Sequence, residues 1–287
     1  MRAVAQDDFV PSVDASQLSE DLTLLKVNHR QGGWVNSLLL RTSEGGLLVD
    51  HAGDWRTLEA SPALIATVHN AVDEAGALPI RYFINTHWHG DHTAGNTLFE
   101  DIDIIAHENV KTRLSERQTP FWFEDGIGPM DPSGWPNHTF TDSLTLIFDN
   151  ERVLLWNFGL AHSDGDAVVY FERADVVHMG DLYHGLNDIS VGDDMRGIAR
   201  TLAETLTRIT IETRVVTGHG GMSSYEDLTT YNRMLLEAIA HVEGQINDEA
   251  SMEEILVSGL PDDWSGRLSS ELVSAWYREI YRSLTGR

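Results

Sequence analysis

The sequence predicts an α/β chain in which two β-rich halves pack face to face with helices outside. Short apolar runs with strand character recur through both halves of the 287 residues. Segments with helical spacing separate and follow them, which is the pattern of layered sheets and helices. A hydrophobic share of 41% supplies a substantial core, and this length suits a single large domain.

Leu22 to Val27 and Trp34 to Leu40 read as strands around a turn at Gly32-Gly33, and Gly46 to Asp50 as a short strand ending in an acid. Ser61 to Gly76 carries Leu64, Ile65, Val68 and Val72 at helical spacing, with Gly76 suited to the C-terminal cap. Arg81 to Asn85 is an apolar segment, Thr93 to Phe99 starts a helix, and Ile102 to Ala106 is another strand. Strands at Leu144 to Phe148, Val153 to Phe158, Ala167 to Phe171 and Val176 to Met179 precede a helix from Gly197 to Ile209. Val215 to Thr217 is one more strand, and 225–287 is a mostly helical tail. Residues 1–20 form an N-terminal segment ahead of a single domain at 21–287. Within it Ala3-Val4-Ala5 before Gln6-Asp7-Asp8 reads as the remnant of a signal region, so a periplasmic or secreted location is expected.

Acidic residues outnumber basic ones by 45 to 20, a formal charge of −25. Such a field repels phosphate backbones and anionic lipid, so neither nucleic acid nor membrane is an expected partner. No apolar run approaches the roughly 20 residues of a helical span. The absence of cysteine excludes disulfides, thiolate ligands and a cysteine nucleophile, and leaves the compartment open. Composition sets no oligomeric state.

The chemistry is concentrated in Thr86-His87-Trp88-His89-Gly90-Asp91-His92. Imidazole nitrogen and carboxylate oxygen are donors that Zn²⁺ prefers. His87 and His89 point one way if the strand period continues, and Gly90 lets Asp91 and His92 address a second point nearby. Three further candidates follow apolar runs, where a rigid sheet can hold a ligand: His162, Asp181 and His219.

The ordered set H-x-H-x-D-H, His, Asp, His resembles the metallo-β-lactamase superfamily, from about Leu22 to His219. The resemblance implies an αββα sandwich of two mixed sheets flanked by helices. It implies two Zn²⁺ ions, one held by His87, His89 and His162, the other by Asp91, His92 and His219, with Asp181 bridging. Asp50 matches an acid that supports the metal loop. Such a centre acidifies water for attack on an acyl carbon and stabilises the oxyanion, with Asp91 orienting the nucleophile or carrying its proton.

Asp181 and His184 stand where the familiar β-lactamases of this family commonly carry Cys and, three residues on, a Lys that pairs with the antibiotic carboxylate. The lead expectation is therefore a small-molecule hydrolase acting on a β-lactam or related cyclic amide with modest efficiency. A glyoxalase II-like thioesterase or a lactonase is the alternative, and a mononuclear iron persulfide dioxygenase the alternative from another class. His184 is the expected weak clamp for a substrate carboxylate, with Arg30 and Arg196 as the other cations in view. Ser115 to Phe140 holds Phe121, Trp122, Phe123 and Trp135 with little periodicity, and reads as a loop beside the site in which Trp122 and Trp135 touch substrate. Of the other histidines, His29, His69, His107, His138 and His241 read as structural or solvated. His178 reads as packed, and His51 as a neighbour of the site.

Overall fold

In the computed structural model, residues 10–29, 33–54, 57–97, 101–120, 125–259, 264 and 267–286 are described. Seven strands form the first sheet in spatial order: β1 (Ser12–Gln17), β2 (Leu22–His29), β3 (Gly33–Thr42), β4 (Gly45–Val49), β5 (Ile80–Ile84), β6 (Asp103–His107) and β7 (His138–Phe140). The first four run antiparallel, and β4 to β7 run parallel. The second sheet contains β8 (Ser143–Phe148), β9 (Glu151–Trp156), β10 (Val168–Phe171), β11 (Val176–His178), β12 (Arg214–Val216) and β13 (Met222–Ser224). Its spatial order is β13-β12-β11-β10-β9-β8, with β11 and β12 parallel and the other pairs antiparallel.

Side-chain alternation explains why two sheets stack. Leu22, Leu24, Leu38, Leu40, Leu47, Val49, Ile84 and Ile105 of the first sheet meet Val153, Leu155, Val169, Phe171, Val176 and Val216 of the second. The alternate residues Leu25, Val27, Leu39, Leu48, Phe83 and Ile104 face the other way and pack with Leu64, Val68 and Val72 of α1 (Pro62–Glu74). Val168, Val177 and Val215 likewise turn outward, against a layer built from α4 (Met195–Leu206), α5 (Tyr225–Asn247), α6 (Met252–Val257) and α7 (Ser270–Thr285). Between α1 and α4 lie two shorter helices, α2 (Gly90–Thr93) and α3 (Glu108–Ser115). The result is the predicted αββα sandwich. No helix among the described residues is long and apolar enough to cross a membrane.

Several elements differ from expectation. The first sheet takes in β1, so the sheet begins well before the expected boundary at residue 21. β1 is polar and mostly exposed, an edge strand with no apolar alternation to announce it. β7 and β13 have three residues each, too few to show a period. α3 buries only Val110 and Leu114, a thin signal. The helix expected from Thr93 starts at Gly90 with His89 as its N-cap, which puts Asp91 and His92 on its first turn. The segment from Ser115 to Phe140 is not one irregular loop: Gln118 pairs with Ile127, Pro132–Gly134 is a 3₁₀ turn, and β7 joins the sheet.

Truncating Phe171, fully buried between the sheets, should cost about 3–5 kcal/mol as Phe171→Ala. Gly76→Ala meets no neighbour but must adopt φ near +67°, and should cost only about 1–2 kcal/mol. Denaturant midpoints of the two variants check the ranking.

Candidate metal centre

The strand directions put all the expected donors on one edge. β9, β11 and β12 are mutually parallel within the second sheet, and His162, Asp181 and His219 each follow one of them. β4 and β5 are parallel in the first sheet, followed by Asp50 and by His87 to His92. Polar contacts close the two sheets on each other there. Asn36 of β3 donates from its backbone to Gly218 (2.9 Å) and from Nδ2 to the Thr217 carbonyl (2.8 Å). The Ala167 amide donates to the Thr86 carbonyl at 2.7 Å. His178 is packed, as expected, and its Nε2 donates to the Asn36 carbonyl at 2.9 Å.

Two donor groups result. His87, His89, His162 and Asp181 form one, and Asp91, His92, Asp181 and His219 the other, with the ligand atoms of each group within 4.8 Å of one another. All seven residues expected as ligands are thus brought together, and Asp181 belongs to both groups. Asp181 Oδ1 lies 3.2 Å from His92 Nε2, while its Oδ2 lies 3.2 Å from His219 Nε2 and 3.8 Å from both His87 Nε2 and His162 Nε2. The Nε2 atoms of His92 and His219 are 3.4 Å apart, and His162 Nε2 is 3.1 Å from His89 Nδ1. Donors on one zinc ion, each about 2.0–2.1 Å from it, stand roughly 3.3–3.4 Å apart at tetrahedral angles. The separations fit that spacing. His87 Nε2 and Asp181 Oδ1 are also buried without a hydrogen-bond partner among the described residues, as donors turned to a cation should be.

The far nitrogens of these rings are tied down, which fixes orientation. His92 Nδ1 meets Asp50 Oδ2 at 2.8 Å, His162 Nδ1 the Val191 carbonyl at 2.6 Å, and His219 Nδ1 the Trp34 carbonyl at 2.7 Å. Asp50 also accepts from the Thr86 amide (2.8 Å) and hydroxyl (2.7 Å), so one carboxylate braces the loop and the ring behind it. Gly218 permits the approach of Asp181: an added Cβ would come within 2.1 Å of Oδ1.

The two groups differ in charge. Burial and the neighbouring imidazoles lower His87, and burial with His162 takes His89 down to about 3. Burial pushes His92 and His219 down too, but Asp181 with the other nearby carboxylates outweighs it, raising His92 well above its usual value and His219 to about 10. Burial would raise Asp91 and Asp181, yet His92 and His219 hold both carboxyls low.

The substrate-facing expectations fare differently. A cavity of about 460 Å³ opens beside His89 and His162, with Trp88, Arg113 and Arg117 in its wall. Trp135 is not in that wall; its Nε1 donates to the Met130 carbonyl and its ring packs with the group around Trp88 and Leu114. Trp122, Phe121, Phe123 and Arg30 lie outside the described residues. Arg196 is paired with Glu243 on the α4–α5 surface, away from the centre. His51 is fully buried with Nδ1 on the Ala52 carbonyl, a packing residue that burial lowers to about 4. His184 turns toward Asp181 and His219 rather than into the cavity. Arg113 and Arg117 escaped the sequence reading because nothing in their spacing distinguishes them from solvated surface residues.

The family model of the metallo-β-lactamase superfamily matches residues 31–219, a span that contains every one of these donors. The chain belongs to the metallo-β-lactamase superfamily. A type 2 metallo-β-lactamase of Bacteroides fragilis is 24% identical over 161 residues, which is 55% of this chain and 60% of that relative. Among solved structures, a metallo-β-lactamase from Pontibacter korlensis superposes with a TM-score of 0.63 at 17% identity, over 78% of this chain and 99% of its own. The DIM-1 metallo-β-lactamase gives 0.62 at 19% identity, over 80% and 100%. A sec-alkyl sulfatase gives 0.70 at 14% identity, over 96% of this chain and 50% of its own. At these identities the structural likeness is one of fold. Membership in that superfamily accords with His/Asp groups suited to metal.

Two outcomes test the centre. Asp50→Ala should cost about 10- to 100-fold in metal affinity, read as metal per chain after dialysis against a chelator. Protons compete for His92 and His219 but not for His87 and His89, so metal should leave the Asp91–His92–His219 group first as pH falls. A Co²⁺-loaded sample followed by absorption across pH 8 to 5 checks the order.

Proposed function

We propose that the chain is a dinuclear zinc hydrolase that opens an acyl bond, first that of a β-lactam or related cyclic amide, with modest efficiency. The observation that carries this reading is the pair of donor groups sharing Asp181 beside an open cavity. His87, His89 and His162 would hold one ion, Asp91, His92 and His219 the other, with Asp181 between them. Zinc bound there supplies Lewis acidity toward a carbonyl oxygen and acidifies water.

The protein's own groups do the rest. Asp91, with 12% of its side chain exposed, is the carboxylate placed to orient a water molecule and take its proton. Trp88 and the segment after α3 wall the cavity and limit the water that reaches the acyl carbon. No serine, threonine or cysteine nucleophile is needed.

The wall supports an expectation of modest efficiency with an anionic antibiotic. Arg113 is committed to Asp164, with contacts at 2.8 and 3.2 Å, which leaves Arg117 as the cation for a substrate carboxylate. Glu116, Asp193 and Glu279 line the same cavity, so carboxylates outnumber the two arginines there. That balance favours a second reading, a neutral thioester or lactone as the preferred substrate.

A panel of β-lactam, lactone and thioester substrates on zinc-loaded protein decides between them. The expected result is measurable β-lactam turnover at high KM, at least about tenfold lower in Asp181→Ala. Arg117→Ala should raise KM for an anionic β-lactam more than for a neutral lactone. Micromolar KM for β-lactams would overturn modest efficiency. Lactone or thioester turnover without β-lactam turnover selects the second reading, and silence on all three defeats the hydrolase assignment.

A further inference from the structure

We infer that Asp166 is a positioning residue for the first metal position, fixing the loop of His162 as Asp50 fixes the loop of His92. The inference rests on the two-metal reading above and concerns a residue outside the resembled ligand set. Asp166 lies in the connection between β9 and β10, shortly after His162, and is only 5% exposed. Its carboxylate turns back on its own loop. Oδ1 accepts from the Ser163 hydroxyl at 2.6 Å, and the Ser163 amide approaches Oδ1 at 3.0 Å and Oδ2 at 2.9 Å. The Ser163 hydroxyl in turn accepts from the Gly165 amide at 3.2 Å. All of these carboxylate contacts come from the residue next to His162. A buried carboxylate is costly, and these hydrogen bonds offset the cost only while the loop keeps this shape.

The ends of the loop are tied as well. The Asp166 carbonyl accepts from Asn157 Nδ2 at 2.8 Å, and the Ala167 amide donates to the Thr86 carbonyl at 2.7 Å. Thr86 is the residue whose amide and hydroxyl donate to Asp50. One threonine therefore joins the two buried carboxylates, each behind its own donor group. α3 presses on the loop from the other side: Asn109 Nδ2 donates to the Asp164 carbonyl at 2.8 Å, and a Cβ on Gly165 would lie 3.0 Å from Val110 Cγ2. With the backbone after His162 fixed by Asp166 and Nδ1 held by the Val191 carbonyl, Nε2 is left aimed at His89 and Asp181. Such supporting contacts set metal affinity through the direction of the donor ring.

The test is a Co²⁺ titration of metal-stripped, full-length protein, read by visible absorption. His89→Ala and His219→Ala mark the bands of the first and second positions. Wild type should take two equivalents. Asp166→Ala should lose about 10- to 100-fold in affinity at the position marked by His89→Ala and keep the affinity of the other. Asp166→Asn, which retains one acceptor for Ser163, should fall between wild type and Asp166→Ala. Ser163→Ala removes only the hydroxyl bond and should show the same selective loss in smaller measure, which carries the test if Asp166→Ala does not fold. A mere loss of stability would weaken both positions alike. Equal losses at the two positions, or unchanged affinity and bands in Asp166→Ala, would therefore overturn the assignment and leave the two-metal reading standing. A single equivalent in wild type would overturn both.

Discussion

Asp181 is a carboxylate with 7% of its surface exposed, set among ring nitrogens of His87, His92, His162, His184 and His219. Removing such a group from water costs several kcal/mol unless charge returns the loss. Burial pushes its pKa up, and His219, His92 and His184 hold it well below the usual range. Much of the surrounding structure secures that compensation. Gly218 clears the space, Asp50 and the Trp34 and Val191 carbonyls aim the rings, and Asn36 with His178 binds one sheet to the other. The sandwich is held by apolar alternation, but the relative placement of its sheets at this edge is set by polar contacts.

The centre was legible because metal donors must be specific residue types at strand ends. His87 to His92 announce themselves by density, and His162, Asp181 and His219 by position after apolar runs. The sheets were legible wherever an apolar run marked the strand, even in the three residues of β11 and β12. β1 was not, because an exposed polar edge strand is held by backbone pairing that side chains do not report. The start of α2 was misplaced for a related reason: Gly90 reads as a turn, while the fold uses it to begin a helix whose first turn carries Asp91 and His92. Trp135 was misread because an aromatic in an aperiodic segment looks the same whether it meets substrate or packs beneath Trp88.

The superposed lactamases cover about four-fifths of the chain, whereas the sulfatase superposition covers 96% of it. The helices at the C-terminal end build much of the outer layer on the second sheet. Their reach extends to the centre by a short path. Tyr231 and Trp276 hold Ser190; its hydroxyl takes the His184 amide, and the next residue, Val191, offers the carbonyl that orients His162. One loop thereby orients His162 of the first donor group and holds the neighbouring His184, and two helices set the loop. Substitutions at the buried α5–α7 contact thus act on the metal centre through geometry, at a distance from any donor. Where metal affinity and fold stability fall together in such variants, the shared cause is this loop, since its hydrogen bonds serve both.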